Sequence, residues 1–247
     1  MVLLKVHRTV GSINYYGASS GFTASITSVG NGWYRCSLTG LAPTATWYME
    51  LALLSNLNKY VFLWGGQWEA GNFPTSYIAT TSASATRTTD LAVMTDANFN
   101  SWYNRAQGTL YINTVYIGGI TGTPQETNAI WIDDTTSNNR IALRTVRDTS
   151  SAQADVTVSS GGSINLDTGG FVPTTIGTTY QRAFSYTPTT ASHFVNMVSD
   201  VTNAVYIPPL NTSRLAINGA ASGGFYLKKL SYYPASSTAT QLQALTS

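Results

Sequence analysis

Asp133 and Asp134, with Asn138 and Asn139 close behind, form the densest set of hard oxygen donors in the chain. Donors of this kind from one loop could hold a calcium ion, whose shell is built from carboxylate and amide oxygens. The same residues equally suit an ordinary acidic turn between two strands, because Asp and Asn bond locally to their own backbone. Both readings are open at this level. Trp131 stands just ahead of the loop in AIWIDD. A flat ring beside hydrogen-bonding groups is what a sugar needs, since the apolar face of a pyranose stacks on an aromatic plate. Trp68 in LWGGQWEAG and Trp47, shortly after Ala42-Pro43-Thr44, are the other aromatic candidates. For all three, a place in the core or at a subunit interface is the competing reading.

Catalytic chemistry is poorly supplied. Glycoside hydrolysis needs two carboxyl groups about 5 to 9 Å apart, and Glu50, Glu69 and Glu126 are each isolated. His7 and His193 have no spaced second histidine that would make a metal pair. Neither a G-x-S-x-G elbow nor a histidine-glutamate metalloprotease motif occurs. The inventory points away from an enzyme, and no catalytic residue is assigned.

Charged residues make up 10% of the 247 residues, and the formal net charge is +2. Such a chain lacks the basic stripe that nucleic acid requires; Lys228-Lys229 is its nearest approach to a cluster. The surface polarity comes instead from Ser, Thr, Asn and Gln, which suits exposed β-proteins. Cys36 is the sole cysteine, so a disulfide framework is excluded, and its place in the alternating WYRCSL reads as a buried small hydrophobe. No apolar run approaches the roughly 20 residues of a membrane-spanning helix, and MVLLKVHRTV is too short in its apolar segment for a signal peptide.

The elements that must position these residues are strands. Period-2 or apolar segments occur at 109–117, 128–133, 140–146, 154–158, 180–186, 193–198, 213–218 and 225–233, separated by turn signals. Many short strands at this spacing predict antiparallel sandwiches. The run ATTSASATRTTD at 79–90 has no periodicity and reads as a linker. It divides the chain into 1–78 and 91–247. Only STATQLQAL at 237–245 reads as a helix, with a Ser or Thr cap ahead of Leu242 and Leu245. The expected class is therefore all-β: two antiparallel sandwich units, the first abbreviated, and a short C-terminal helix.

Two stretches resemble known families. Asn31-Gly32-Trp33-Tyr34-Arg35-Cys36, followed by Leu63, Trp64, Gly65, Gln67, Glu69, Gly71 and Pro74-Thr75-Ser76-Tyr77-Ile78, is similar to a carbohydrate-binding-like jelly roll of bacteriophage tail and head fibres. That family carries further strands before the first motif, whereas this chain reaches it after about thirty residues, leaving sheet edges and one apolar face open. A neighbouring chain or an abbreviated fold would have to compensate. Residues 94–247 resemble the concanavalin A-like or laminin-G-like jelly rolls that end many phage fibre proteins. The carriers are NFNSWYNRAQGTLYI at 98–112, SNNRIALR at 137–144 and the closing GGFYLKKLSYYPASSTATQLQALTS.

The resemblances imply a structural component of a phage virion, a tail fibre or a head fibre or decoration protein, with capacity to bind a glycan or host surface. A glycan-binding module of a secreted protein is the alternative, and a depolymerase a more distant one. Implied partners are other virion proteins, further copies of the chain (a trimer is one such assembly) and a host-surface glycan, with no nucleic acid and no membrane insertion; the implied location is the virion. Laminin-G-like relatives place calcium at a loop rim, which is the case for Asp133 and Asp134 as ligands. No other cofactor is implied. Trp33 and Trp64 occupy the first family's core motif and are expected to be buried, and Trp102 and Tyr103 are expected to be structural.

Overall fold

The computed structural model describes residues 2–6, 22–40, 61–70, 74–86, 90–118, 125–147, 152–169, 172–218 and 224–247. His7, Trp47, Glu50 and Gly71 lie outside them, as does the side chain of Glu126. The chain divides into two units, Met1–Arg87 and Thr88–Ser247. Both are built from antiparallel strands, and the protein is all-β apart from short helices.

In the first unit, β1 (Val2–Val6), β2 (Thr23–Gly30), β3 (Trp33–Thr39) and β4 (Val61–Trp64) form one sheet in the order β2-β3-β1-β4. Asn31 and Gly32 join β2 to β3 with φ of 51° and 75°. Two successive left-handed residues make the turn whose twist matches a hairpin, and Asn-Gly is the pair that tolerates it best. The register sets Cys36 opposite both Ile26 and Val2 in mid-sheet. Cys36 is buried there, and burial pushes its thiol pKa up, so it packs as a hydrophobe as its sequence context predicts.

Trp64 departs from expectation. It is 54% exposed instead of buried. Among the described strands β4 pairs only with β1, so it closes one end of the sheet. The indole lies against Tyr77, with ring centroids 4.6 Å apart. Gly65 permits this: it has φ of 67°, and a Cβ there would come within 3.3 Å of the Tyr77 ring. Trp33 is half-buried.

The second unit begins with β5 (Leu91–Thr95), α1 (Asp96–Asn100) and β6 (Gly108–Gly118), then β7 (Gln125–Asp133), β8 (Arg140–Arg147), β9 (Ala152–Ser160), β10 (Ser163–Asp167) and β11 (Val172–Thr174). It continues with β12 (Thr179–Tyr186), β13 (Thr190–Val195), β14 (Val198–Val205), β15 (Arg214–Asn218), β16 (Gly224–Tyr233) and α2 (Ala239–Leu245). One sheet runs β10-β9-β8-β7-β15-β5 with β11 also paired to β9; the other runs β14-β13-β12-β6-β16. Leu110, Ile112 and Phe184 of the second sheet bury against Ile130, Ile132, Ile141, Leu143, Val156 and Val158 of the first, which makes a sandwich. Phe99, Trp102, Tyr103, Tyr186, Tyr206 and Tyr232 extend this core as an aromatic cluster, so Trp102 and Tyr103 are structural as expected.

The segment 193–198 is not one strand. It is the end of β13, a turn and the start of β14, because Asn196 and Met197 adopt φ of 46° and 69° and reverse the chain. The C-terminal helix forms where the sequence predicts it. Thr238 caps it reciprocally with Gln241, and Leu242 packs on Tyr111, Ala183 and Phe194. Among the described residues no helix is long and apolar enough to cross a membrane.

Candidate functional site

Strand alternation decides what the seven-stranded sheet shows on the side away from the core. Ile130, Ile132, Ile141, Leu143, Val156 and Val158 point inward, so Trp131, Asp133, Arg140, Ala142, Arg144, Thr157 and Ser159 take the other face. Register aligns them in rows: Arg214, Asp133, Arg140 and Ser159 in one, Ala216, Trp131, Ala142 and Thr157 in the next.

Asp133 is not available to a ligand. Its side chain is 3% exposed, and Arg214 takes both oxygens, through Nε to Oδ1 at 2.5 Å and Nη2 to Oδ2 at 3.1 Å. The Thr135 amide donates to Oδ1 as well, at 2.8 Å. The bond to Asp133 raises the Arg214 pKa above its usual value.

The rest of the loop is also self-satisfied. Asp134 accepts from the Thr136 amide and hydroxyl and from Asn139 Nδ2. Burial pushes its carboxyl pKa up, but these bonds outweigh burial and leave it below the ordinary carboxylate value. Asn139 Oδ1 accepts from the amides of Gly161 and Leu210, tying three segments together. Asn138 is exposed. A calcium ion here would have to displace Arg214 from Asp133 and the Thr136 and Asn139 donors from Asp134. Among the described residues no three His, Cys, Asp or Glu side chains converge as metal ligands.

Trp131 and Arg140 are different. The indole Nε1 and the Arg140 Nε are both buried with no hydrogen-bond partner. The sequence reading did not single out Arg140; both atoms are closed off from solvent, and Asp133, Ala142, Thr157, Ser159 and Ala216 on the same face are buried. The signal was present in Arg140-Ile141-Ala142-Leu143-Arg144, where period 2 puts both arginines and the alanine on the face of Trp131.

Two further buried polar networks lie in this unit. Arg144 bonds the buried carboxylate of Asp155, whose other oxygen accepts from Thr168 at 2.9 Å. Arg182, fully buried, donates to the Asp155 carbonyl at 2.5 Å, and burial lowers its pKa to about 10. His193 Nδ1 lies 2.7 Å from Asp200 Oδ2 across the hairpin, both side chains wholly buried, and burial lowers the histidine pKa. Arg182 lines a cavity of about 10 Å³, room for a water and not for a substrate. A shallow groove of about 210 Å³ lies by Ser185, Thr187, Thr190, Ser192, Asn203 and Ser236, but its hydroxyls are bonded locally, Thr187 to Thr190 and Ser192 to the Asn203 amide.

In the first unit the polar residues of the 63–78 motif serve its own backbone. Glu69 accepts from the Thr75 amide at 2.7 Å and hydroxyl at 2.5 Å, Gln67 accepts from the Ile78 amide at 2.8 Å, and Arg35 donates to the Thr75 carbonyl at 2.5 Å. Burial raises the Glu69 pKa, and the Thr75 and Gln67 bonds outweigh it, leaving the carboxyl below its usual value. The clamp holds Tyr77 against Trp64. Trp68 is 68% exposed beside them, along with Phe62 and Leu63.

No protein-family model matches the chain, and no curated protein matches it. Among solved structures it is similar to Trypanosoma rangeli sialidase, at 11% identity and a TM-score of 0.40 over 57% of this chain; it spans only 22% of that enzyme. It is also similar to domain 4 of AbnA, a GH43 extracellular arabinanase from Geobacillus stearothermophilus, in complex with arabinotriose (17% identity, 57% of this chain and 67% of that one, TM-score 0.42). A third is the Ruminococcus gnavus IT-sialidase CBM40 bound to α2,3 sialyllactose (15% identity, 57% and 83%, TM-score 0.41).

Proposed function

We propose that the protein is a non-catalytic structural subunit of a bacteriophage virion, a tail fibre or head fibre or decoration protein, that assembles through its first unit and meets a host-surface glycan with its second. The observation that carries this reading is where the chemistry is spent. Asp133, Asp134, Asp155, Asp200 and Glu69 are all held by the chain's own donors, while Phe62, Leu63, Trp64 and Trp68 are turned outward. Spent acids disfavour hydrolysis, which needs a proton donor and a nucleophile free to reach one bond. β4, terminal among the described strands and carrying exposed apolar side chains, is a template for another chain, which supports a homo-oligomer. The resemblance of residues 31–78 and 94–247 to phage fibre modules supports the virion location.

For the second unit, Trp131 supplies the aromatic plate. Native mass measurement of the purified chain tests the assembly half: a defined oligomer is expected, and a lone monomer would favour a free-standing binding module instead. Trp131→Ala tests the binding half. Reduced binding to host cells with an unchanged melting temperature supports the site, whereas unaltered binding with a loss of about 3 to 5 kcal/mol makes Trp131 a packing residue.

A further inference from the structure

We infer that the groove on the outer face of the five-stranded sheet holds one ring of an uncharged sugar, with the side-chain amide of Asn203 across a pair of its hydroxyls. This rests on the glycan-binding reading and adds a second place for the ligand and its lack of charge. Strand alternation builds the groove. Ala191 and Ala204 pack on the core, so Thr190 and Val205, the next residues along and directly opposite one another, take the outer face. Ser185 and Ser192 make the neighbouring row of that face. The pairing of β13 with β14 is interrupted between Ala191 and His193, and Asn203 stands at the interruption with φ of 51°. Bulges of this kind re-aim a side chain. Asn203 is exposed and lines the groove.

The walls are fixed by local bonds that leave other groups unspent. Ser192 accepts from the Asn203 backbone amide at 2.9 Å, and Ser185 from the Ser237 amide at 2.8 Å. The Ser192 hydroxyl donates to no described residue, and neither the Asn203 side chain nor the Ser236 hydroxyl bonds to one. A side-chain amide presents donors on its nitrogen and an acceptor on its oxygen, which matches two sugar hydroxyls that each give and accept. Val205, 74% exposed beside Thr190, offers an apolar edge to the C–H side of the ring. Among the described residues no ionisable side chain lines the groove, so a charged ligand would give up hydration with no counter-charge in return. A neutral one exchanges water for hydroxyls and an amide. At about 210 Å³ the groove is smaller than the roughly 300 Å³ at which drug-sized ligands begin to fit, which suits a single ring.

The test uses the full chain in saturation-transfer NMR with neutral hexose and N-acetylhexosamine oligosaccharides and their carboxylated and sulfated counterparts, followed by titration of the strongest binder. Neutral members should bind best, and equally at about 50 and 200 mM salt. Asn203→Gly keeps the left-handed backbone while removing the amide, and should weaken binding about tenfold with the melting temperature held. If Asn203→Gly does not fold, Ser236→Trp at an exposed position fills the groove and should abolish binding. Trp131→Ala should leave this binding as it is. Binding that is indifferent to both groove variants, or that matches or favours the charged members, would overturn the neutral-sugar inference and leave glycan recognition standing. Binding of no saccharide at all would remove both.

Discussion

Arg214 and Asp133, directly opposite on β15 and β7, form a two-pronged ion pair in which both carboxylate oxygens are engaged. The residue that most resembled a ligand is thereby a fastener between strands. Removing Arg214 alone, as Arg214→Leu, strands a buried carboxylate and should cost about 3 kcal/mol in urea denaturation. The double variant with Asp133→Leu should recover much of that loss. A double variant as unstable as the sum of the two singles would show that the pair is not coupled.

Calcium should leave the second unit unchanged. Because Asp133 and Asp134 are saturated by protein donors, neither millimolar calcium nor a chelator is expected to move the melting temperature. A calcium-dependent rise would mean that the ion displaces Arg214, and would restore the loop as a metal site.

Gly108 lies under two tyrosine hydroxyls. A Cβ there would come within 2.5 Å of the Tyr232 oxygen and 2.7 Å of the Tyr186 oxygen. Those hydroxyls are bonded to each other, and both to the Asn104 carbonyl. Gly108→Ala should destabilise by about 1 to 3 kcal/mol. Gly66→Ala, with open space around it, should stay within about 0.5 kcal/mol. Thermal melts of the two variants side by side check the contrast.

The clamp around Tyr77 should loosen in acid. Glu69 has a folded pKa below its unfolded value, so its contribution is present above the unfolded value of about 4.3 and is lost as pH falls through the folded one. Protection of the Thr75 and Ile78 amides from hydrogen exchange, taken relative to the intrinsic rate at each pH, should fall below about pH 4. Glu69→Gln should remove the pH dependence at Thr75. Protection that is flat across this range would mean that Glu69 does not hold the loop.

The sequence made the strands legible wherever one face is buried. NAIWID alternates cleanly because Ile130 and Ile132 face the core and Trp131 does not, and Asn31-Gly32 announces its hairpin by backbone preference alone. What it hid was partnership. Nothing near Asp133 in the chain reveals Arg214, 81 residues away, so a saturated carboxylate looked like an open one. HFVNMV read as a single strand because Asn196 and Met197 interrupt it through backbone dihedrals, which apolar periodicity does not report. Trp64 was expected inside because its motif is apolar, but among the described strands β4 has a neighbour on one side only.

Two ion pairs of the seven-stranded sheet share a geometry: Arg144 and Asp155, like Asp133 and Arg214, are directly opposed across neighbouring strands. A slip of one residue between β8 and β9 would set Arg144 against Ala154 or Val156 and send Asp155 to the opposite side of the sheet. Such a slip already turns the buried Ile141, Leu143, Val156 and Val158 face away from the core, and an unpaired buried charge adds to that cost. The pairs thus act as proofreaders of strand alignment, penalising misassembled sheets more than they strengthen the correct one.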